Sequence, residues 1–234
     1  GKRVLLVDAN FSAPNIGLNL GMENGVTLQD ALVGVGLHNA IYDANGFDVV
    51  SASMNFEHEI DMYQLKKLLE KIKKQYDFVI LDSSPHYSEM TPVVLAADKL
   101  FVVTSADHVT LATSLKAAMI AKNNNTPIWG IIINRIRDEK HEESLKDVER
   151  IMGLPVLARI RDDKRVVKAV FHRTPISLHD DRSHVSKEIE RFVSALVGVP
   201  EKSKLMHKFF PKKHFSKETV NRDFIRQKFY ECKL

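Results

Sequence analysis

Four short runs of Val, Ile, Leu and Phe punctuate the chain, and each run ends in a polar residue. They occupy Lys2–Asp8, Phe78–Asp82, Leu100–Thr104 and Ile128–Asn134. Continuous apolar runs of this length are typical of strands that are buried on both faces of a parallel sheet. The pattern therefore predicts four such strands.

Between these runs, apolar residues recur with the spacing of a helix that buries one face. One set lies in a Lys-rich stretch, a second lies near residue 190, and residues 111–122 are Ala-rich. The two sets are Leu65, Leu68, Leu69 and Ile72, and Ile189, Phe192, Val193 and Leu196. Strands that alternate with helices predict an α/β fold, a doubly wound and mostly parallel sheet with helices on both faces.

Polar side chains at the strand ends are the first candidates for chemistry. In a doubly wound sheet, ligands bind at the carboxyl ends of the strands, where Asp8, Asp82, Thr104 and Asn134 would lie. A carboxylate there can hold Mg²⁺ beside a nucleotide phosphate, although Asp also commonly caps a strand or opens a turn. Two strands end in Asp, and each is followed by a distinctive sequence. We therefore favour Mg²⁺ binding over capping as the role of Asp8 and Asp82.

Composition narrows the class of protein. The 234 residues suit one domain, or one domain with an appendage. The single cysteine, Cys232, excludes a disulfide framework and any all-cysteine metal or iron–sulfur site within one chain. No apolar run reaches the ~18 residues of a membrane span, and no signal peptide opens the sequence. We therefore expect a cytoplasmic protein.

The charge is concentrated at the C-terminal end. Residues 199–234 contain ten Lys or Arg and four Asp or Glu, a net charge of +6, whereas residues 1–198 carry −2. The same segment holds six of the 18 aromatic residues. This shift in composition predicts a body over 1–198 and a basic, aromatic tail over 199–234 that binds a membrane, a nucleic acid or an acidic partner.

Two apolar stripes lie in this tail. Residues 203–210 place four large apolar side chains beside two lysines, and a second stripe follows with three basic neighbours. The stripes are Leu205, Met206, Phe209 and Phe210, then Val220, Phe224, Ile225 and Phe229. We expect residues 203–230 to contact a membrane surface as basic amphipathic helices do. Packing on the body, a solvated tail and non-specific DNA binding remain alternatives.

Several stretches together resemble one family. The sequence GKRVLLVDANFSAPNIGLNLG at the start and YDFVILDSSP at 76–85 resemble the second conserved block and the Walker B strand of the MinD/ParA family of deviant-Walker P-loop ATPases. Four further blocks lie in the family's order: GFDVVSAS at 46–53, ADKLFVVTSADHVTLATSLKA at 97–117, IIINR at 131–135 and LPVLARIRDDKRVVKAVFHRTPI at 154–176. The resemblance covers residues 1–198 and is greatest to MinD-like proteins, including archaeal ones.

The resemblance implies a P-loop NTPase-like fold and roles for individual residues. Asp8 and Asp82 would hold Mg²⁺, in part through water, and Asn10 stands where the family often has the Asp that positions the attacking water. An amide can orient water but cannot accept its proton, so we expect slow ATP hydrolysis. Adenine would be contacted by Asn134 and Arg135 and, on the same side, by Arg161 and Asp162. Arg161 stands where the family has Pro.

One family element is missing from the sequence. No GxxxxGK[ST] motif occurs, whereas the family has a strand, a KGGxGKT loop and a helix ahead of the region that begins here. The resemblance therefore predicts that the sequence lacks its N-terminal P-loop segment, and that the protein is an ATPase if the full-length chain has it. Because that strand is central in the family's sheet, its neighbours would be left with unpaired backbone groups.

The function implied by the resemblance is a switch driven by ATP and Mg²⁺. Two subunits would join when ATP binds, and the dimer would lie on the inner face of the cell membrane until hydrolysis. A protein activator would be a further partner. Its use would be positioning of the division site, a chromosome or another cargo. Alternatives are a non-hydrolysing interaction protein and a ParA-type partition ATPase that binds DNA. The lone Cys232 argues against an iron–sulfur carrier of the same fold.

Overall fold

Strands and helices alternate along the chain, as the sequence patterns predict. A computed structural model describes residues 1–22, 25–138, 140–198 and 216–231, which form seven strands and ten α-helices. The strands are β1 Val4–Ala9, β2 Tyr42–Asp43, β3 Asp48–Val50, β4 Phe78–Ser83, β5 Leu100–Thr104, β6 Ile128–Ile136 and β7 Val156–Arg161. All four predicted strands are therefore confirmed, with β6 extending two residues beyond Asn134.

The helices fall where the apolar spacing placed them, with others between. They are α1 Ile16–Leu20, α2 Leu28–Asp30, α3 Leu65–Glu70, α4 Tyr87–Ala96, α5 His108–Asn123, α6 Leu145–Met152, α7 Lys164–Phe171, α8 Ile176–His179, α9 His184–Val197 and α10 Lys217–Glu231. In the described part, no helix combines the length and the apolar character needed to cross a bilayer.

The chain divides into two compact units. The first contains Gly1–Leu100, Met119–Pro127 and Val170–Thr174, and the second contains Phe101–Ala118, Ile128–Ala169 and Pro175–Leu234. The first unit has a four-stranded sheet in the order β2-β3-β1-β4, in which β1 runs parallel to β3 and β4 and only the short β2 is antiparallel. The second has a three-stranded sheet in the order β5-β6-β7, with β6 and β7 parallel.

The core of the first unit forms around β1 and α3. Leu5 and Val7 of β1 are fully buried, and Leu65, Leu69 and Ile72 bury the face that their spacing predicted. Burying a Leu side chain contributes roughly 1.5–3 kcal/mol, so this face outweighs the weak helix-forming tendency of so short an α3. The helical interpretation of the Lys-rich stretch is thus correct for Leu65–Glu70, and the chain then tightens into a 3₁₀ turn over Lys73–Gln75.

The core of the second unit is built around aromatic rings and a close strand pair. Phe101 of β5 meets Trp129 of β6 and Phe192 of α9 edge to face, with ring centroids 5.7 and 5.5 Å apart. Gly130 allows β6 to lie against the start of β7, because a Cβ atom there would be 2.7 Å from the carbonyl oxygen of Pro155. Of the second apolar set, Phe192 therefore belongs to this core and Ile189 and Leu196 are half-buried, whereas Val193 is exposed.

In each sheet, one strand that the sequence pattern predicted to be buried lies at the edge of the sheet. Among the described residues, β4 pairs only with β1 and β5 only with β6. Ile80 of β4 is 52% exposed and Val103 of β5 is 58% exposed, although both belong to continuous apolar runs. Each of these strands therefore presents backbone groups along one edge that no described strand pairs.

Helix α10 packs against α9 and β7 of the second unit. Its Asn221 donates to the carbonyl oxygen of Val156 at 2.8 Å and to the carboxylate of Glu149, which also accepts the N–H of Val156 at 2.9 Å. The backbone N–H and C=O of Val156, which do not pair with a described strand, thus bond to side chains instead. This protects an exposed strand edge that could otherwise associate with another chain.

A buried arginine, Arg222, provides a second set of contacts between α10 and the rest of its unit. Arg222 is 7% exposed, donates to the carbonyl oxygen of Leu157 and forms an ion pair with Glu188 of α9, while Ile225 is buried beside it. Of the second apolar stripe, Ile225 therefore packs on the body, whereas Val220 and Phe224 are exposed. The stripe at 203–210 and the side chain of Phe229 lie outside the part of the chain that the structure describes.

The Arg222 pair yields a stability prediction. Arg222→Ala leaves Glu188 and the Leu157 carbonyl short of a buried donor, which costs about 2 kcal/mol of unfolding free energy. Fluorescence of Trp129, the single tryptophan, reports unfolding of this unit in urea. Arg226→Ala, one turn further along α10 and exposed, is the matched control and should change little. Equal effects of the two substitutions would contradict the anchoring of α10 by Arg222.

Candidate functional site

Asp8 ends β1 with a fully buried carboxylate. Its Oδ2 accepts the backbone N–H groups of Asn15 and Ile16, both at 3.0 Å, and its Oδ1 accepts that of Asn10 at 3.2 Å. Asn15 is the N-cap residue of α1, but its side chain makes no capping hydrogen bond. The carboxylate of Asp8, seven residues earlier, accepts the first N–H groups of the helix instead. The carboxylate therefore shapes the whole turn from β1 into α1.

Asp82 lies beside Asp8. The parallel register of β1 and β4 pairs Asp8 with Asp82 directly, and neighbouring strands run about 4.8 Å apart. Unlike Asp8, Asp82 is exposed, and its carboxylate accepts no hydrogen bond from the described residues. The structure thus provides one carboxylate that organises the loop and a second that is open to a ligand.

Both carboxyl groups resist ionisation. Burial raises the pKa of Asp8, against the three backbone hydrogen bonds that favour the charged form. Partial removal of water raises the pKa of Asp82, and the negative charge of Asp8 raises it further. A divalent cation would relieve this repulsion, so the electrostatics of the pair fit a metal.

The two carboxylates, Asp8 and Asp82, fit a Mg²⁺ ion that takes few of its ligands from the protein. No group of three or more His, Cys, Asp or Glu side chains that could hold a metal occurs in the described residues. Mg²⁺ is commonly held by one or two carboxylates, with waters and substrate phosphates completing its shell. The exposed Asp82 is therefore the residue that would face the ion, with Asp8 behind it.

Asn10 follows in the loop after β1. Its Oδ1 accepts the N–H of Ala13 at 3.3 Å, so the side chain closes a turn within the loop. Its backbone N–H donates to Asp8, which keeps the residue next to that carboxylate. An Asn in this position keeps its Nδ2 donor for water or phosphate.

Glu89 of α4 was not singled out by the sequence patterns. Its carboxylate accepts both the backbone N–H of Ser12, at 3.2 Å, and the hydroxyl of Ser12. The two residues are 77 positions apart. Ser12 lies within the family block at the start of the sequence, but Glu89 belongs to none of the blocks, so no local signal could have found the contact.

In the second unit, the predicted adenine residues lie at an irregular strand end. The pairing of β6 with β7 is irregular between Ile133 and Ile136, and Arg135 adopts a positive φ of 56° there. Asn134 Oδ1 accepts the N–H of Arg135 at 2.9 Å, which leaves Nδ2 for a ligand. Non-glycine residues with positive φ are uncommon and often mark functional sites.

Arg161 and Asp162 lie beside this strand end. Arg161 is paired in register with Ile136, and the N–H of Asp162 donates to the Ile136 carbonyl oxygen at 2.9 Å. The Asp162 carboxylate accepts a hydrogen bond from Arg137 Nε at 2.9 Å. Arg137 was missed by the sequence analysis, because its role depends on the bulge that brings the two strand ends together.

The predicted site residues therefore form two groups, each within one unit. The first unit brings together the catalytic and metal candidates Asp8, Asn10 and Asp82. The second brings together the adenine candidates Asn134, Arg135, Arg161 and Asp162.

Comparison with known proteins supplies a family. The sequence model of the CobQ/CobB/MinD/ParA nucleotide binding domain matches residues 1–176, which is more than half of the chain. An uncharacterized ATP-binding protein of Methanocaldococcus jannaschii is 29% identical over 214 residues, covering 89% of this chain and 81% of that protein.

Solved structures resemble the fold. The septum site-determining protein MinD of Pyrococcus horikoshii, complexed with Mg-ADP, superposes with a TM-score of 0.75 at 24% identity, over 80% of each chain. The MinC:MinD cell division protein complex of Aquifex aeolicus contains a chain with a TM-score of 0.76 at 24% identity, over 87% of each chain. At this identity the likeness shows the fold alone, and it confirms the predicted α/β class with a P-loop NTPase-like arrangement.

The carboxylate pair yields a pH-dependent prediction. Because the folded-state pKa of Asp82 is raised, its ionised form destabilises the folded chain at neutral pH, and this penalty disappears as pH falls through that pKa. Asp82→Asn should therefore raise the unfolding free energy at pH 7 by roughly 0.5 kcal/mol, a small value because solvent screens the exposed group. The gain should vanish in acid, as measured by urea unfolding across pH.

Asp77, just before β4, supplies the control for this measurement. Hydrogen bonds from the Arg3 N–H and from Lys2 lower the pKa of Asp77, so Asp77→Asn should destabilise the chain at pH 7, with the opposite sign. An Asp82→Asn chain that is less stable than the original at pH 7 would contradict the repulsion between Asp8 and Asp82.

Proposed function

Because the chain belongs to the CobQ/CobB/MinD/ParA nucleotide binding domain family, we propose that it is an ATP-binding switch that uses Mg²⁺. This family is the one that the motifs indicated. A general role as a MinD/ParA-type nucleotide-binding protein follows from family and fold. ATP, Mg²⁺ and the residues that hold them are the proposal.

The observation that carries the proposal is the pair of carboxylates at the ends of β1 and β4. Asp82 is open to a ligand, and Asp8 adds negative charge next to it. Asp82, with Asp8 beside it, would hold Mg²⁺ directly or through water, and the cation would offset the negative charge of both carboxylates and of a nearby phosphate. The ATP-binding relative and the Mg-ADP complex of the P. horikoshii protein support this choice of ligand.

The base would bind at the second group of residues. Asn134 Nδ2 can donate to an acceptor on the adenine edge, and the exposed Arg135 can stack on the ring or contact ribose. The positive φ of Arg135 fixes the direction in which its side chain leaves the strand.

Hydrolysis is expected to be slow. Asn10 can orient a water molecule through its amide, but it cannot take the proton as a carboxylate would. The same feature favours a second candidate, a non-hydrolysing protein that changes partners when ATP binds. Restoring the carboxylate decides between these candidates, since Asn10→Asp should raise the rate of a true ATPase and leave a non-hydrolysing protein inactive.

The proposed biological use is positioning at a membrane. ATP would join two subunits, and two basic, aromatic tails over 199–234 would then bind an anionic surface together, because paired weak contacts gain avidity. The names of the two MinD structures, which refer to septum site and cell division, support a role at the division site. ParA-type DNA binding is the alternative.

The packing of α10 limits which part of the tail can serve this purpose. Arg222 and Ile225 are buried against the second unit, so α10 presents only its other side. We therefore assign the primary membrane contact to residues 203–210, with α10 as the anchor that follows them.

Calorimetric titration with Mg-ATP tests the nucleotide proposal. The natural protein that carries this sequence should bind Mg-ATP, and Asp82→Asn should weaken binding at least tenfold when Mg²⁺ is present and much less without it. Asp77→Asn at the other end of β4 changes the same charge and should leave binding unchanged.

Two outcomes would contradict this proposal. One is an affinity of Asp82→Asn for Mg-ATP equal to that of the original protein. The other is an affinity of Asp77→Asn that falls as far as that of Asp82→Asn, because the loss would then not depend on a carboxylate at the carboxyl end of β4.

Sedimentation with vesicles tests the tail. With ATP, the protein should pellet with phosphatidylglycerol vesicles but not with phosphatidylcholine vesicles, and Phe209→Asp with Phe210→Asp should abolish this. Lys66→Glu, on the exposed face of α3, changes the net charge equally and is the control. Pelleting with double-stranded DNA but not with vesicles would instead favour the partition-type alternative.

A further inference from the structure

The loop between β1 and α1, residues 10–15, is held at both ends by Asp8. The amides of Asn10 and Asn15 bond to its two carboxylate oxygens. The middle of the loop contains Ser12, which is exposed to solvent. The side chain of Asn10 is tied to this middle part, because its Oδ1 accepts the N–H of Ala13 at 3.3 Å. An anchor at Ser12 would therefore also steady the side chain of Asn10.

Glu89 supplies that anchor from another element. It lies half-buried in the first turn of α4, and both of its oxygens accept bonds from Ser12, one from the backbone N–H at 3.2 Å and one from the hydroxyl. Hydrogen bonds to an ionised acceptor are roughly twice as strong as neutral ones. This two-point contact therefore fixes both the position and the orientation of Ser12.

Helix α4 is itself tied to the end of β4. Its N-cap residue His86 donates its N–H to the Ser84 hydroxyl at 3.1 Å, and Ser84 is almost completely buried two residues after Asp82. The chain of contacts thus runs from Asp82 through Ser84 and α4 to Glu89, and from there to the loop that contains Asn10.

We propose that Glu89 is a positioning residue: its contact with Ser12 sets the place of the 10–15 loop, and hence of Asn10, relative to Asp82. The kinetic part of this proposal rests on the proposed ATPase. In that ATPase, Asn10 would orient the attacking water and Asp82 would hold the Mg²⁺ that binds the phosphate. An error of about 1 Å between these two residues would therefore lower the rate far more than the affinity.

Three variants and one control test the contact. Glu89→Ala removes both acceptors, Ser12→Ala removes only the hydroxyl, and Glu89→Gln keeps the length and one carbonyl acceptor. Glu70→Ala, an exposed glutamate on α3 of the same unit, is the matched control. Each is measured for hydrogen exchange of the Ser12 amide without nucleotide, for Mg-ATP affinity and for kcat.

The expected results separate positioning from simple stability. In Glu89→Ala, the Ser12 amide should exchange about tenfold faster, while the Asn15 and Ile16 amides bonded to Asp8 stay protected. Its kcat should fall about tenfold with the affinity for Mg-ATP changed less than twofold. Ser12→Ala should lose only about threefold in kcat, because the backbone bond remains. Glu89→Gln should recover most of the rate.

The outcomes that overturn the proposal are distinct from failure of the proposed function. Unchanged exchange of the Ser12 amide in Glu89→Ala overturns the contact itself, whether or not the protein hydrolyses ATP. Faster exchange with an unchanged kcat overturns the positioning role. A natural protein that binds Mg-ATP without any hydrolysis overturns the proposed ATPase and the kinetic part of this proposal together, even when the Ser12 exchange result is as expected.

Discussion

The juxtaposition of Asp8 and Asp82 on adjacent parallel strands is the constraint on which the rest of the first unit depends. Two carboxylates side by side repel each other, and a folded chain retains them only where other interactions compensate. Here three backbone amides of the β1–α1 loop compensate for the charge of Asp8. The geometry of the loop and the charge of the pair therefore depend on each other. The N–H groups that donate to Asp8 and stabilise its charge belong to Asn10 and to the first residues of α1.

The elements of the fold were largely predictable from sequence, for a physical reason. Strands of a parallel sheet typically read as continuous apolar runs, so β1, β4, β5 and β6 appear directly as runs of Val, Ile, Leu and Phe, although Ile80 of β4 and Val103 of β5 are exposed. The carboxyl ends of parallel strands share one edge, so Asp8 and Asp82 could be placed together before the register was known. The family motifs then assigned roles to residues that the pattern had already brought to the strand ends.

Contacts between distant side chains were not predictable. Glu89 and Ser12 each look like ordinary surface residues, and only the packing of α4 makes them partners. Arg222 is a second case, because a charged residue in a basic tail is expected in solvent, whereas here it is buried with Glu188 and the Leu157 carbonyl. The apolar stripe on α10 fits a membrane or a protein surface equally well, and only the tertiary structure shows that Ile225 faces protein.

The most direct test of the carboxylate pair as a metal–nucleotide site replaces Mg²⁺ with paramagnetic Mn²⁺ and maps the broadening of amide signals by NMR. With ATP present, the natural protein should show the strongest broadening at Asp82 and Ser83 and in the loop from Asn10 to Asn15, and Asp82→Asn should remove it. Broadening centred instead on the acidic residues Asp138, Glu142 and Glu143, or unchanged by Asp82→Asn, would contradict the assignment of Mg²⁺ to the ends of β1 and β4.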